Sequence, residues 1–124
     1  MIAMIKTFQA AANSNATLLR RGHQVTCKIL IGVGSKDFIV SLEKGYVKNL
    51  RLRTLPLESG IFAIRADDRI WVEHWQEFPK RNYHDLFSML SSGLATIDGD
   101  LTIFMRNLIY FKMLLAAPRN RIGV

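Results

Sequence analysis

Residues 83–119, YHDLFSMLSSGLATIDGDLTIFMRNLIYFKMLLAAPR, form the stretch that decides the fold. It begins with apolar residues at helical spacing that stop at Gly93, continues through a short run of strand character over residues 94–99, and ends in a long apolar segment that starts at Asp100. Asn82 can cap the first helix and Asp100 the last, because such side chains accept hydrogen bonds from free N–H groups. The order helix, strand, helix is therefore predicted here.

The last helix, predicted from Asp100 to about Ala117, is more apolar than an ordinary surface helix. Its few polar residues point in widely separated directions, so no continuous polar stripe faces water. Such a helix must cover apolar surface on more than one side: a core on one, and on another a partner subunit, a membrane surface or an apolar ligand. The alternative is a helix that is simply well buried, for which a chain of 124 residues has little room.

Upstream, the sequence predicts a helix followed by a meander of strands. Apolar residues at three- and four-residue spacings over residues 2–21 predict a helix that is weakened near Asn13. It is either one interrupted helix, or a helix to about residue 12 followed by a second turn that ends at Gly22. Alternating apolar residues and glycine-containing turns then predict antiparallel pairing. The predicted strands span residues 24–31, 38–42, 46–54 and 60–65. A crossover helix follows from about Arg69 to Glu77, capped by Asp67 or Asp68.

Composition indicates one domain over residues 1–124, since 49% of the residues are hydrophobic and 22% are charged. Cys27 is the only cysteine, so no internal disulfide is possible and a reducing compartment is favoured. No apolar run is long enough for a membrane span, and the first residues lack the basic start of a secretion signal. We therefore expect a cytoplasmic protein.

The net charge of +7 lies in the first half of the chain. Residues 1–66 contain ten Lys or Arg and three acidic residues, whereas residues 67–124 contain seven of each. A basic surface attracts nucleic acid or anionic lipid headgroups, and it can also be merely solvated. Nucleic acid is disfavoured, because the aromatic residues that would stack on bases lie mainly in the neutral half.

The sequence predicts neither a catalytic site nor a metal-binding site. His74 and His84 lie in separate helices divided by Pro79, and Cys27 has the register of a small buried residue. Asp98 and Asp100 are better explained as a turn residue and a helix cap than as an acid–base pair. We expect no enzyme, no metal and no cofactor; catalysis would require a histidine such as His74 or His84 that titrates near neutral pH.

The stretch quoted above resembles the C-terminal half of the sterol carrier protein type 2 (SCP-2) sterol-binding domain family, in the form of a stand-alone bacterial-type member. The residues that carry the resemblance are Asp85, Leu86, Phe87, Leu90 and Gly93, then Ile97, Gly99 and Asp100. The resemblance implies an α+β fold: a five-stranded mixed sheet in the order 3-2-1-4-5, covered on one face by helices. It also implies a hydrophobic tunnel for a fatty acyl chain, sterol or isoprenoid, and carriage without catalysis.

The lipid would then lie between the sheet and the C-terminal helix, where flexible methionines suit varied chains. Trp71 and Trp75 are either core aromatics or part of the cavity lining. The candidate lipid-binding residues are Phe87, Leu90, Leu101, Phe104, Met105, Leu108, Phe111, Trp71 and Trp75. An anionic membrane surface and a partner enzyme are further candidate partners. The alternative function is an interaction module whose exposed apolar C-terminal helix pairs with a partner or forms a homodimer.

Overall fold

A computed structural model describes residues 2–55 and 57–122, with helices at both ends of the chain and strands between them. The strands are β1 (Cys27–Val33), β2 (Lys36–Glu43), β3 (Tyr46–Leu52), β4 (Phe62–Ala66) and β5 (Ala95–Gly99). The helices are α1 (Ile2–Asn13), α2 (Ala16–Arg21), α3 (Asp68–His74), α4 (Leu86–Ser91), α5 (Thr102–Arg106), α6 (Leu108–Leu115) and α7 (Ala117–Ile122). The five predicted strands are present, with shifted ends.

The strands form one mixed sheet in the order β3-β2-β1-β4-β5, which confirms the predicted α+β class and strand order. β1 pairs antiparallel with β2 and parallel with β4, while β3 and β5 pair antiparallel with β2 and β4. Ile29 lies opposite Val40, and Ile31 lies opposite Ile64. All four side chains are buried in the core on the helical side of the sheet.

Part of the β3–β4 connection packs against the other face of the sheet. β3 and β4 run in the same direction, so the chain must return from one end of the sheet to the other between them. Leu30 and Ile39 pair on this face, and both are buried although they are not part of the helical core. Gly60 lies so close to β1 that a Cβ there would be 2.5 Å from the Ile29 backbone. The connection therefore packs directly on the strand.

The predicted interruption near Asn13 is present, and polar side chains stabilise it. Asn15 caps α2, where its Oδ1 accepts a hydrogen bond from the Leu18 N–H at 3.1 Å. Asn13 donates to the Val47 carbonyl at 3.0 Å and accepts from the Val47 N–H at 2.8 Å. A residue that weakens the helix thus ties it to β3.

The prediction of one helix from Asp100 to Ala117 was wrong in its continuity, because α5, α6 and α7 are separate. Asn107 is non-helical, with φ −132° and ψ 43°, and its side chain donates to the Ile103 carbonyl at 3.0 Å. Pro118 prevents α6 from continuing, since proline lacks the N–H that would bond to Leu114 and its ring would clash there. The C-terminal segment can therefore turn twice.

Two predicted helix boundaries also differ. The crossover helix ends at His74, three residues before the predicted end at Glu77. Asn82 has a φ of 73° and precedes the helix, whereas Asp85 caps α4 by accepting from the Ser88 N–H at 3.4 Å. Asp and Asn are nearly equal as caps, so residue type alone does not distinguish Asn82 from Asp85 as the start of the helix.

Candidate functional site

Four phenylalanine rings connect the sheet to the C-terminal helices, and we call them the phenylalanine cluster. Phe62 of β4 lies 5.4 Å from Phe104 of α5 and 5.2 Å from Phe111 of α6, measured between ring centroids. Phe87 of α4 packs edge-on against Phe104 at 6.3 Å. Edge-to-face pairs at these distances stabilise aromatic packing. The cluster thus holds α4, α5 and α6 against one strand.

The phenylalanine cluster reaches the surface at Phe87. Phe62, Phe104 and Phe111 are buried, whereas Phe87 is 36% exposed. Lys112 lies over the Phe87 ring, with Nζ 4.9 Å from its centroid, and pairs with Asp85 Oδ1 at 2.6 Å. Burial opposes ionisation of Asp85, but the hydrogen bond and charge of Lys112 outweigh it and lower the pKa of the carboxyl. A charged pair therefore borders the exposed end of an apolar cluster.

Two other predicted residues, Leu90 and Leu101, are half-buried and pack against the hydrophobic core. Leu90 lies in α4 and Leu101 immediately precedes α5. They therefore lie in or next to the two helices that carry Phe87 and Phe104.

Trp71 of α3 and Trp75, which directly follows α3, are fully buried and stack on one another with ring centroids 5.5 Å apart. The Trp71 indole N–H donates to the Gly32 carbonyl at 2.9 Å, and that of Trp75 donates to the Leu115 carbonyl at 2.7 Å. Both polar atoms are satisfied by backbone, as buried indoles require. These residues fasten α3 to β1 and to the end of α6, which is a packing role.

Met105 and Leu108 lie away from the phenylalanine cluster, in an open groove of about 530 Å³ between α2 and the α5–α6 junction. We call it the basic groove. Met105 is 62% exposed, and Leu108 is half-buried. The residues that line the groove are Arg20, Arg21, His23, Met105, Arg106, Asn107, Leu108, Ile109 and Tyr110.

Tyr110 anchors this side of α6, a role that the sequence did not indicate. Its hydroxyl donates to the Gly45 carbonyl at 2.8 Å, and burial raises its pKa. Gly22 packs flat on the ring, since a Cβ there would lie 2.2 Å from Tyr110 Cε1. The end of α2 and the β2–β3 turn are thereby held to α6.

A second groove, of about 370 Å³, brings together His74 and His84, which the sequence had placed in separate helices. The Arg119 guanidinium donates to the backbone carbonyls of both histidines. His74 Nδ1 lies 2.7 Å from the Tyr83 carbonyl, while Nε2 is buried without a partner among the described residues. Burial is the main cause that lowers the pKa of His74 to about 4.

The chemistry of these groups does not favour catalysis. A neutral, buried His74 is a poor proton donor near pH 7, and burial raises the pKa of the Cys27 thiol, which disfavours the reactive thiolate. Within the described parts of the chain, no three His, Cys, Asp or Glu residues are grouped as metal ligands would be. None of the helices that the structure describes is long and apolar enough to cross a bilayer.

Solved structures share this arrangement of sheet and helices. The crystal structure of sterol carrier protein 2 superposes with a TM-score of 0.75 at 15% identity, covering 94% of each chain. The chain has the fold of sterol carrier protein 2. A possible sterol carrier protein from Thermus thermophilus matches with a TM-score of 0.73 at 15% identity, over 97% of this chain and 87% of that one.

The sterol carrier fold also occurs in a ubiquinone synthesis protein, UbiJ-SCP2, which matches with a TM-score of 0.59 at 11% identity over 96% of this chain and 90% of that chain. No family model and no curated protein sequence matches the chain. At these identities, the comparisons confirm the resemblance at the level of the fold.

Within the sterol carrier fold, the predicted site residues fall into three groups. Five lie in or beside the segments of the phenylalanine cluster, two line the basic groove, and the two tryptophans lie in α3 and directly after it. The alternative function requires the apolar C-terminal helix to be exposed, but Tyr110, Phe111, Leu114 and Leu115 of α6 are all buried.

Proposed function

We propose that this chain binds an apolar lipid chain at the phenylalanine cluster and carries it without chemical change. The observation that carries the proposal is that only short helices, α4, α5 and α6, cover the phenylalanine cluster. The cluster reaches the surface at Phe87 of α4. A lipid chain inserted beside Phe87 would meet phenyl rings on the sheet side and half-buried leucines at the edge.

Opening the site requires α5 to move, and its local structure suits that movement. α5 has five residues and is separated from α6 by the non-helical Asn107. A short segment with breaks at its end can shift without unfolding the sheet. Each buried methylene contributes about 0.8 kcal/mol, so a chain of about a dozen carbons offers enough free energy to offset such a shift.

The structural neighbours support a lipid as the ligand, since two of them are described as a sterol carrier protein or a possible one. An apolar site selects length and bulk more than chemical identity. We therefore propose fatty acyl chains, sterols and isoprenoids as one ligand class. A partly buried free Cys27 suits a reducing compartment, and we place this binding in the cytoplasm.

Native mass spectrometry of the purified protein, before and after organic extraction, tests the proposal directly. We expect an adduct that extraction removes and that is recovered as a lipid. Displacement of a fluorescent fatty acid then gives affinities for variants. A clean apo mass that stays unchanged with added fatty acid, sterol or isoprenoid would overturn the proposal, and a dimer peak beside it would favour an interaction module.

Phe87→Glu and Phe78→Glu form a matched pair for the site itself. Phe78 is 84% exposed in the loop after α3, outside the phenylalanine cluster. Loss of one partly buried aromatic contact lowers affinity for an apolar ligand by about tenfold or more. Phe87→Glu should therefore bind the fluorescent fatty acid at least tenfold more weakly than the wild type. Phe78→Glu should bind like the wild type. Equal effects of the two substitutions, with both proteins folded by circular dichroism, would contradict the assignment of the site.

A further inference from the structure

We propose that the second groove binds the anionic headgroup of the lipid whose chain lies beside Phe87, and that Arg119 selects ionised lipids over neutral ones. The chemistry that the groove recognises is an oxyanion, such as the carboxylate of a fatty acid. This inference rests on the proposed function, because the groove meets a headgroup only when a lipid chain lies at the phenylalanine cluster.

Arg119 is half-buried and forms no ion pair within the described parts of the chain. Its Nε donates to the His74 carbonyl at 2.9 Å, and its Nη2 donates to the His84 carbonyl at 3.1 Å. Nη1 has no hydrogen-bond partner among the residues that the structure describes. Backbone carbonyls therefore hold the guanidinium in place and leave two of its N–H groups for an oxyanion.

The other charges that line the groove largely offset each other. Lys112 and Asp85 both line it, and they pair with one another at 2.6 Å. His74 is neutral near pH 7, since burial lowers its pKa to about 4. Burial also lowers the pKa of Arg119, because a partly desolvated cation without a bonded carboxylate is unfavourable. A bound anion would remove this cost, so the groove is complementary to one negative charge.

The second groove adjoins the exposed end of the phenylalanine cluster. Lys112 lines the groove, and its Nζ lies 4.9 Å from the centroid of the Phe87 ring. Leu86, which precedes Phe87 in α4, also lines the groove. A single side chain, that of Lys112, therefore separates the surface where a lipid chain would lie from the groove that contains Arg119.

An amphipathic anion fits this arrangement better than other ligands. A sterol or an isoprenoid without charge would leave Arg119 unpaired, although both belong to the ligand class of the proposed function. A small hydrophilic anion would pair with Arg119 but would gain nothing from the apolar walls, which Leu86, Met113 and Ala116 provide. The groove and the cluster together favour a fatty acid, whose chain and carboxylate would contact both.

Competition between dodecanoate and its methyl ester tests the headgroup site. The two ligands share one acyl chain, and only the acid is ionised near neutral pH. Each displaces a fluorescent fatty acid, and the ratio of their affinities is the measurement. In Arg119→Gln this ratio should fall about tenfold through weaker binding of dodecanoate, since a charge-assisted hydrogen bond is lost. Binding of the ester should be unchanged, and Arg119→Lys, which keeps the charge, should retain most of the wild-type ratio.

Asp85→Asn should change the ratio in the opposite direction, and it keeps the test decisive if Arg119→Gln does not fold. Asparagine caps a helix as well as aspartate does, so α4 should be retained. The substitution removes the negative charge from the groove and releases Lys112, so the affinity for dodecanoate should rise severalfold relative to the ester. The matched controls are Arg20→Gln and Asp98→Asn, at exposed positions outside the second groove, and both should keep the wild-type ratio.

A wild-type ratio in folded Arg119→Gln, or in Asp85→Asn, would overturn the headgroup assignment and leave the proposed function intact. Equal changes in the variants and their matched controls would do the same. Binding of inorganic phosphate that depends on Arg119, with no effect of Arg119 on the ratio, would assign the groove to a free anion instead. If the wild type bound neither dodecanoate nor its ester, the proposed function would fail and this inference with it.

Discussion

Lowering the pH from 7 to 5 should weaken the folded state through His74. This side chain is 1% exposed, and its Nδ1 lies 2.7 Å from the Tyr83 carbonyl, which places the proton of the neutral ring on Nδ1. Nε2 is buried without a partner among the described residues. Protonation would therefore place a charge and an unsatisfied N–H in the core, beside the Arg119 guanidinium.

The size and sign of the effect follow from the two pKa values of His74. Burial lowers the pKa from 6.5 to about 4 in the folded protein. The unfolded chain therefore binds the proton first, and the stabilisation present above pH 6.5 is lost as the pH falls toward 4. At about 1.4 kcal/mol per pH unit, the loss is about 2 kcal/mol by pH 5 and about 3 kcal/mol by pH 4.

Urea unfolding between pH 7 and 5, followed by the fluorescence of the two buried tryptophans, measures this loss. The Glu58 carboxyl, whose pKa is lowered to about 2 chiefly by its hydrogen bond with Arg51, titrates below this range. His74→Asn retains a donor for the Tyr83 carbonyl and cannot titrate, so its stability should be nearly constant from pH 7 to 5. His84→Asn, at an exposed histidine in the same groove, should retain the wild-type slope. A wild-type slope in His74→Asn would refute the reasoning.

Two substitutions test the contacts that position the grooves and the sheet. Tyr110→Phe removes the buried hydrogen bond to the Gly45 carbonyl and should lower the free energy of unfolding by about 1–2 kcal/mol. Tyr46→Phe, at a half-exposed ring, should change it little. Equal losses for the two variants in urea titrations would contradict the anchoring role of Tyr110. Gly60→Ala would push a methyl group against the backbone of β1 and should lower the free energy of unfolding by about 1–3 kcal/mol. Ser59→Ala, at an exposed site, should leave it unchanged. A thermal melt of Gly60→Ala that matches the wild type would show that the β3–β4 connection does not pack on β1 there.

Local patterns predicted most of the strands, because apolar residues alternate along them. Ile29 and Ile31 face the helical core, and the intervening Leu30 faces the β3–β4 connection. The alternation predicted the strand, but the β3–β4 connection that packs beside Leu30 carries no periodic pattern. Charge patterns likewise placed a basic surface in the first half of the chain, whereas the basic groove also recruits Arg106 from the second half.

The candidate site was less predictable because its residues are separated by helix breaks that tertiary contacts stabilise. Phe104 and Met105 are adjacent, yet one is buried in the phenylalanine cluster and the other is exposed in the basic groove. The non-helical backbone at Asn107 separates α5 from α6, and no local spacing indicated that break.

The apolar character of the last helix, which suggested a second partner for one of its faces, has a largely internal explanation. In α6, Tyr110 meets the β2–β3 turn and Phe111 meets the sheet, so two sides of one short helix are covered by different parts of the same chain. Met105 and Ile109 remain exposed. Two side chains provide far less apolar area than a stable homodimer requires. The exposed remainder of the helix therefore gives little support to pairing with a second copy of the chain.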